Sequence, residues 1–165
     1  MNQAQTISKK RVADHGEVFT NPREVNAMLD LVQGECARIE SRFLEPACGT
    51  GNFLVEILSR KLNAVSKRYA GSQFEFERYA VLAVCSIYGI DLLPDNVAAC
   101  KARLFDVFDE RYTAHFGDAC KPDCSASVRY VLDQNIIHGD ALTLKTVDLF
   151  GDNNKAHIVF AEWLR

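Results

Sequence analysis

The sequence lacks any apolar run long enough to span a membrane. Its first ten residues, Met1 to Lys10, are polar where a secretory leader would carry an apolar core. The expectation is a protein with no membrane span, in the cytoplasm. A large excess of charge of one sign is also missing. The net charge is −3 and the pI about 5.8, which excludes a chain that holds nucleic acid by bulk positive charge. Lys9-Lys10-Arg11 is the single basic cluster and reads as part of a solvated tail. A second close cysteine pair is absent as well. Cys120-Lys-Pro-Asp-Cys124, with His115 ahead of it, stands alone among six cysteines, so no metal site is expected. Cys85 and Cys100 fall on apolar helical faces and read as small hydrophobes, with the thiols reduced.

What is present suits one domain with a core: 165 residues, of which 48% are hydrophobic. The chain is organised around Phe43-Leu44-Glu45-Pro46-Ala47-Cys48-Gly49-Thr50-Gly51-Asn52-Phe53-Leu54. A short apolar run begins a buried strand, and Pro46, Gly49 and Gly51 break it. Phe53, Leu54, Ile57, Leu58 and Leu62 then recur at helical spacing, with Asn52 as the predicted N-cap. Strand, glycine turn and helix form the entry to a nucleotide-type site. The two glycines allow a tight bend and a close approach to a ligand.

The chemistry of this turn is acidic. Glu45 ends the strand, and Leu54 stands where the third glycine of a dinucleotide fingerprint belongs. A carboxylate there would repel a pyrophosphate. A cationic ligand without phosphate suits it better, and S-adenosylmethionine has a sulfonium and an ammonium. Downstream, Ser86-Ile87-Tyr88-Gly89-Ile90-Asp91 reads as a second strand ending in a carboxylate that can accept ribose hydroxyls. Asp91 lies twice as far from the turn as a plain dinucleotide unit would place it, which counts against a nicotinamide enzyme. Asn135 to Leu142 reads as a third strand and its exit, with Asp140 placed to accept the amino group of an adenine; Ala156-His157-Ile158-Val159-Phe160 reads as a fourth.

Between these strands the periodicity predicts helices. One starts at Pro22 behind a Thr20 or Asn21 cap and buries Val25, Met28, Leu29 and Val32. The helix after Asn52 runs to about Tyr69, and another follows a Ser72 cap. A long one runs from Pro94 to Gly117 with Val97, Cys100, Ala102, Leu104, Phe105, Val107 and Phe108 inside. Asp118 to Ala126 reads as a polar loop, and Ser125 or Ser127 as the cap of a short helix. His138 reads as a structural histidine at a strand end.

The acidic residue followed by Pro-x-Cys-Gly-x-Gly resembles the cofactor motif of the adenine-N6-specific DNA methyltransferases of restriction–modification systems. The resemblance covers about residues 15 to 160. It implies a doubly wound parallel α/β sheet, a Rossmann-like class I methyltransferase fold with strand order 3-2-1-4 and an N-terminal helix. It divides the chain into a polar arm, 1–14, and an S-adenosylmethionine-binding domain, 15–165. It implies that Phe19 and Thr20, in Gly16-Glu17-Val18-Phe19-Thr20-Asn21-Pro22, close over the methionine end of the cofactor. Glu45, Pro46, Ala47, Cys48, Gly49, Gly51 and Asn52 would form the turn beneath it. Asp91 with Leu92 would meet the ribose, and Asp140 with Ala141 the adenine. Gly-Ile-Asp-Leu before Pro-Asp-Asn matches this pattern.

The resemblance stops after the fourth strand. The family places an Asn or Asp, two prolines and an aromatic residue there; this chain has Ala161-Glu162-Trp163-Leu164-Arg165. No catalytic residue is assigned. Trp163 reads as an aromatic packed at a strand end in preference to one that stacks on a flipped base. Two functions remain open: a methyltransferase domain or subunit completed by another polypeptide, and a non-catalytic binding or regulatory subunit. The implied partners are DNA, a restriction–modification subunit or a second copy of the chain.

Overall fold

The structure, a computed structural model, describes residues 20–147 and 156–163. The polar arm and Phe19 lie outside the described residues. Helix α1 (Pro22–Asp30) begins where Asn21, in extended conformation, accepts the N–H groups of Arg23 and Glu24 at 2.7 and 3.3 Å. Asn21 is thus the cap, with Pro22 in the first turn as expected. Val25 and Leu29 enter the core, whereas Met28 and Val32 of the same stripe stay exposed. A short helix, α2 (Gln33–Ala37), follows and has no counterpart in the sequence reading.

Strand β1 (Phe43–Glu45) leads through the glycine turn into α3 (Asn52–Tyr69). Helix α4 (Gln73–Cys85), capped by Ser72, enters β2 (Ile87–Asp91). Helix α5 (Pro94–Phe116) ends at Gly117, whose φ of 52° lies in the left-handed region. Ala102 faces outward from it, contrary to the expected stripe. Helix α6 (Pro122–Asn135) starts three residues earlier than Ser125 and absorbs most of the expected loop. Pro122 sits in its first turn, and Cys124, Val128, Val131 and Leu132 supply its buried face. Burial raises the Cys124 thiol to about 11, so it packs as a hydrophobe. Strand β3 (Ile136–Asp140) follows without a loop, and β4 (Lys145–Thr146) completes the sheet.

The result is an α/β chain with an open, mostly parallel sheet, compatible with a Rossmann-like fold. The strand order is β1-β2-β3-β4, with β1–β2 and β2–β3 parallel and β3–β4 antiparallel. The first three strands stand as the sequence implies. The fourth does not: order 3-2-1-4 placed residues 156–160 beside β1. The reason is local. Asp140 accepts the N–H groups of Leu142 and Thr143 at 2.8 and 3.4 Å, and Leu144 turns at φ 55°. This reverses the chain, and Lys145–Thr146 returns against β3 as a hairpin in place of a crossover. Residues 156–158 then join that edge, through a His157–Lys145 bridge and an Ile158 N–H to Leu144 carbonyl bond of 2.8 Å.

From there the chain crosses a face of the sheet. Ile158 fills the space beside Gly139, and Phe160 meets the Tyr88 ring edge-on at 5.0 Å. Trp163 ends the path against α6, donating Nε1–H to Asn135 Oδ1 at 3.0 Å and packing edge-on to Tyr130. The opposite face, marked by Gly89, lies on Cys48 and Leu54. The core joins this face to the buried sides of α3, α4, α5 and α6, where Leu54, Leu58, Leu62, Phe76, Leu104, Phe108 and Tyr112 are inaccessible.

One buried cation positions β1. Lys61, on α3, is fully buried and donates to the carbonyls of Arg38, Ile39 and Ser41 at 2.8, 3.0 and 2.6 Å. It gathers the irregular segment between α2 and β1 onto α3. Its aliphatic stem serves the core while its head satisfies three carbonyls.

Candidate functional site

The glycine turn is stitched to the end of β2. Cys48 donates its N–H to the Ile90 carbonyl at 2.9 Å, and Gly49 donates to Asp91 Oδ2 at 2.8 Å. The other carboxylate oxygen of Asp91 accepts Leu93 N–H at 2.9 Å and Asn96 Nδ2 at 3.1 Å. Asp91 therefore fixes both the turn and the entry to α5.

Gly49 and Gly51 adopt φ of 51° and 87°, the conformation that glycine tolerates at least cost. Gly51 occupies the N-cap position of α3 that the sequence assigns to Asn52. A Cβ at Gly51 would lie 2.7 Å from Cys100 Sγ, so this glycine lets α5 pack on the turn. Cys48 is buried beside the same sulfur. A thiol–thiol hydrogen bond with Cys100 and burial raise its pKa far above the ordinary range. Cys48 packs in the core cluster beside Cys100 and also lines the cleft at the turn.

Asn52 is freed from capping and bridges three segments. Its Nδ2 donates to the Thr20 carbonyl at 3.0 Å, and its Oδ1 accepts Arg103 Nη1 at 2.8 Å. Arg103, on α5, also reaches the carbonyl and the hydroxyl of Thr50 at 2.7 and 3.1 Å. Arg103 carries no local signal in the sequence, whereas Asn96 belongs to the Pro94-Asp95-Asn96 start of α5. Arg103 is half-buried, although a solvent-facing role is the default reading for an arginine, and Asn96 lies on the buried side of the same helix.

Thr20, Glu45, Ala47, Cys48, Gly49, Thr50, Asn52 and Phe53 line a cleft of about 110 Å³. Glu45 stands in its wall, half-buried. Burial raises its carboxyl above the usual range, and the Ala47 N–H partly offsets that. An apolar groove of about 250 Å³ adjoins it along β1, lined by Met28, Leu29, Val32, Phe43, Leu44, Phe53, Leu54 and Ile57 as well as Glu45.

Among the predicted site residues, Thr20, Glu45, Ala47, Cys48, Gly49 and Asn52 come together in the cleft. Pro46 and Gly51 complete the turn behind it. Asp91 touches the turn, and Leu92 beside it is exposed, its carbonyl accepting His138 Nε2–H at 3.0 Å. Asp140 and Ala141 do not line the cleft. The register explains why: Glu45 is level with Gly89, and Asp91 with His138, so each carboxylate stands two residues beyond the last. The three form a staircase along the sheet's C-terminal edge. Glu45 and Asp140 are on the order of 15 Å apart by strand geometry. Asp140 also accepts the Thr143 hydroxyl at 2.9 Å.

Among the described residues, no group of three His, Cys, Asp or Glu side chains could hold a metal ion, and no helix is long and apolar enough to cross a membrane. Comparisons with known protein families, curated proteins and solved structures found no match.

Proposed function

We propose that the cleft and the carboxylate edge beyond it bind S-adenosylmethionine, and that the chain is the cofactor-binding part of an adenine-N6-type DNA methyltransferase fold. The observation that carries the reading is the half-buried Glu45 in a glycine turn that Asp91 holds closed. Ligands of α/β sheets sit outside the carboxyl ends of the strands. The cleft alone is smaller than the roughly 300–1,000 Å³ usual for a ligand pocket. It suits one end of an elongated molecule. The cationic amino-acid end enters beside Glu45, and the ribose and adenine run along the edge toward Asp91 and Asp140. A phosphate-bearing cofactor is disfavoured, because Glu45 stands where its charge would lie.

The residues described do not supply a reaction centre. At 161–163 no amide or carboxylate is followed by the proline pair that would aim a carbonyl at a target amine. Trp163 is tied to Asn135 and Tyr130. Positioning of the amine supplies a large share of such a barrier. This favours binding without transfer by the chain alone, with transfer supplied by a partner, or a regulatory role. DNA and a restriction–modification subunit remain the proposed partners.

Calorimetry with S-adenosylmethionine and S-adenosylhomocysteine tests the binding. Saturable heat at micromolar ligand is expected, and none at millimolar ligand refutes it. Tritium transfer from labelled cofactor to unmethylated DNA tests the chemistry. No transfer is expected from the chain alone, and transfer by it would assign a role to Glu162 or Trp163.

A further inference from the structure

We infer that Arg103 is the positioning residue of the cleft: from α5, without lining the cavity, it sets the orientation of the Asn52 amide and so the place of the segment entering α1. The observation is the directed chain of hydrogen bonds from Arg103 Nη1 to Asn52 Oδ1 at 2.8 Å and from Asn52 Nδ2 to the Thr20 carbonyl at 3.0 Å. A primary amide can sit either way round. A guanidinium has donors only, so the Asn52 oxygen must face Arg103, and its NH₂ must then point to Thr20. The same Nη1 donates to the carbonyl and hydroxyl of Thr50, which fixes the turn at the point where the amide leaves it. The chain continues into α1 through Asn21, whose side chain caps the helix beside Thr20.

Thr20, Asn52 and Glu45 line the same cleft. A helix of the core thereby governs how close the α1 entry stands to the carboxylate of the turn. The ligand consequence rests on the binding function proposed above; the positional consequence does not.

The test uses the full chain and reads amide hydrogen exchange over residues 20–26, S-adenosylhomocysteine affinity by calorimetry, and melting temperature. Arg103→Ala should raise exchange in that segment and weaken ligand binding at least tenfold. Asn52→Asp separates the two halves of the chain. It keeps and strengthens the contact with Arg103 but replaces the donor to Thr20 with an acceptor. It should raise exchange over 20–26 as much as Arg103→Ala, with little change in melting temperature. Arg103→Lys, which can donate to the same oxygens, should recover most of both effects. Unchanged exchange over 20–26 in Arg103→Ala or Asn52→Asp overturns the inference. So does a loss of affinity that follows melting temperature across all three variants, because a merely structural arginine would behave that way. A wild-type chain that binds no S-adenosylhomocysteine refutes the proposed function, while the exchange data still decide the role of Arg103.

Discussion

Asp91 accepts the backbone N–H of Gly49 at 2.8 Å, joining the end of β2 to the glycine turn across 42 positions of sequence. The same carboxylate caps the chain entering α5 through Leu93 and Asn96. Asp91→Ala would leave the Gly49 and Leu93 N–H groups without this acceptor in a partly buried place and remove one bond of Asn96. Each orphaned group costs roughly 1–3 kcal/mol where water cannot replace the bond. A loss of about 2–4 kcal/mol is expected in urea unfolding. A variant as stable as wild type would reduce Asp91 to a surface residue.

Gly51 and Cys100 form a second test. Gly51→Ala meets the sulfur of Cys100 in a left-handed conformation. The backbone cost for alanine is about 1–2 kcal/mol, and overpacking adds about 1–3 kcal/mol. Cys100→Ala removes the sulfur. In a double-mutant cycle the pair should be coupled by at least about 1 kcal/mol, since contacting residues are not additive. Additive effects would mean that the turn moves away from α5 at no cost.

Glu45 sets opposite demands on stability and binding. Burial raises its carboxyl, so the folded chain holds that proton more tightly than the unfolded chain does. The associated stability is present at acid pH and lost as pH rises through the folded value. Glu45→Gln should therefore raise the melting temperature at neutral pH. It should also weaken S-adenosylmethionine binding and flatten the pH dependence of that binding. In wild type, affinity should fall as pH drops through the raised carboxyl value. A Gln variant that is less stable and binds equally well would contradict both points.

Lys61 predicts a pH dependence of the other kind. Burial lowers its ammonium to about 8, against an ordinary 10.5. Between these values the unfolded chain binds the proton and the folded chain releases it, so the stability contributed by Lys61 rises with pH. Lys61→Met removes this rise and strips three carbonyls of their donor. It should be less stable by about 2–4 kcal/mol at neutral pH. The gap to wild type should widen from pH 8 to 10.5, as measured by denaturant unfolding at several pH values. A gap independent of pH would place the Lys61 head in water.

The sequence by itself determined the elements that depend on nearby residues. A cap at Thr20 or Asn21, the turn from Glu45 to Gly51, the α3 stripe from Leu54 to Leu62, β2 ending at Asp91 and the Gly117 stop all follow from propensity, spacing and backbone conformation within a few positions. It also placed Glu45 and the turn together in one candidate site. Tertiary structure alone decided how far apart the three carboxylates stand, because that depends on strand register. It decided that Gly51 serves Cys100 and that Asn52 joins Thr20 to Arg103, contacts between positions that no local pattern connects. It turned residues 140–146 into a hairpin and left 156–160 off the β1 edge. An apolar run such as Ile158-Val159-Phe160 can be buried against a sheet's edge or its face, and only the neighbours that are free to receive it settle which.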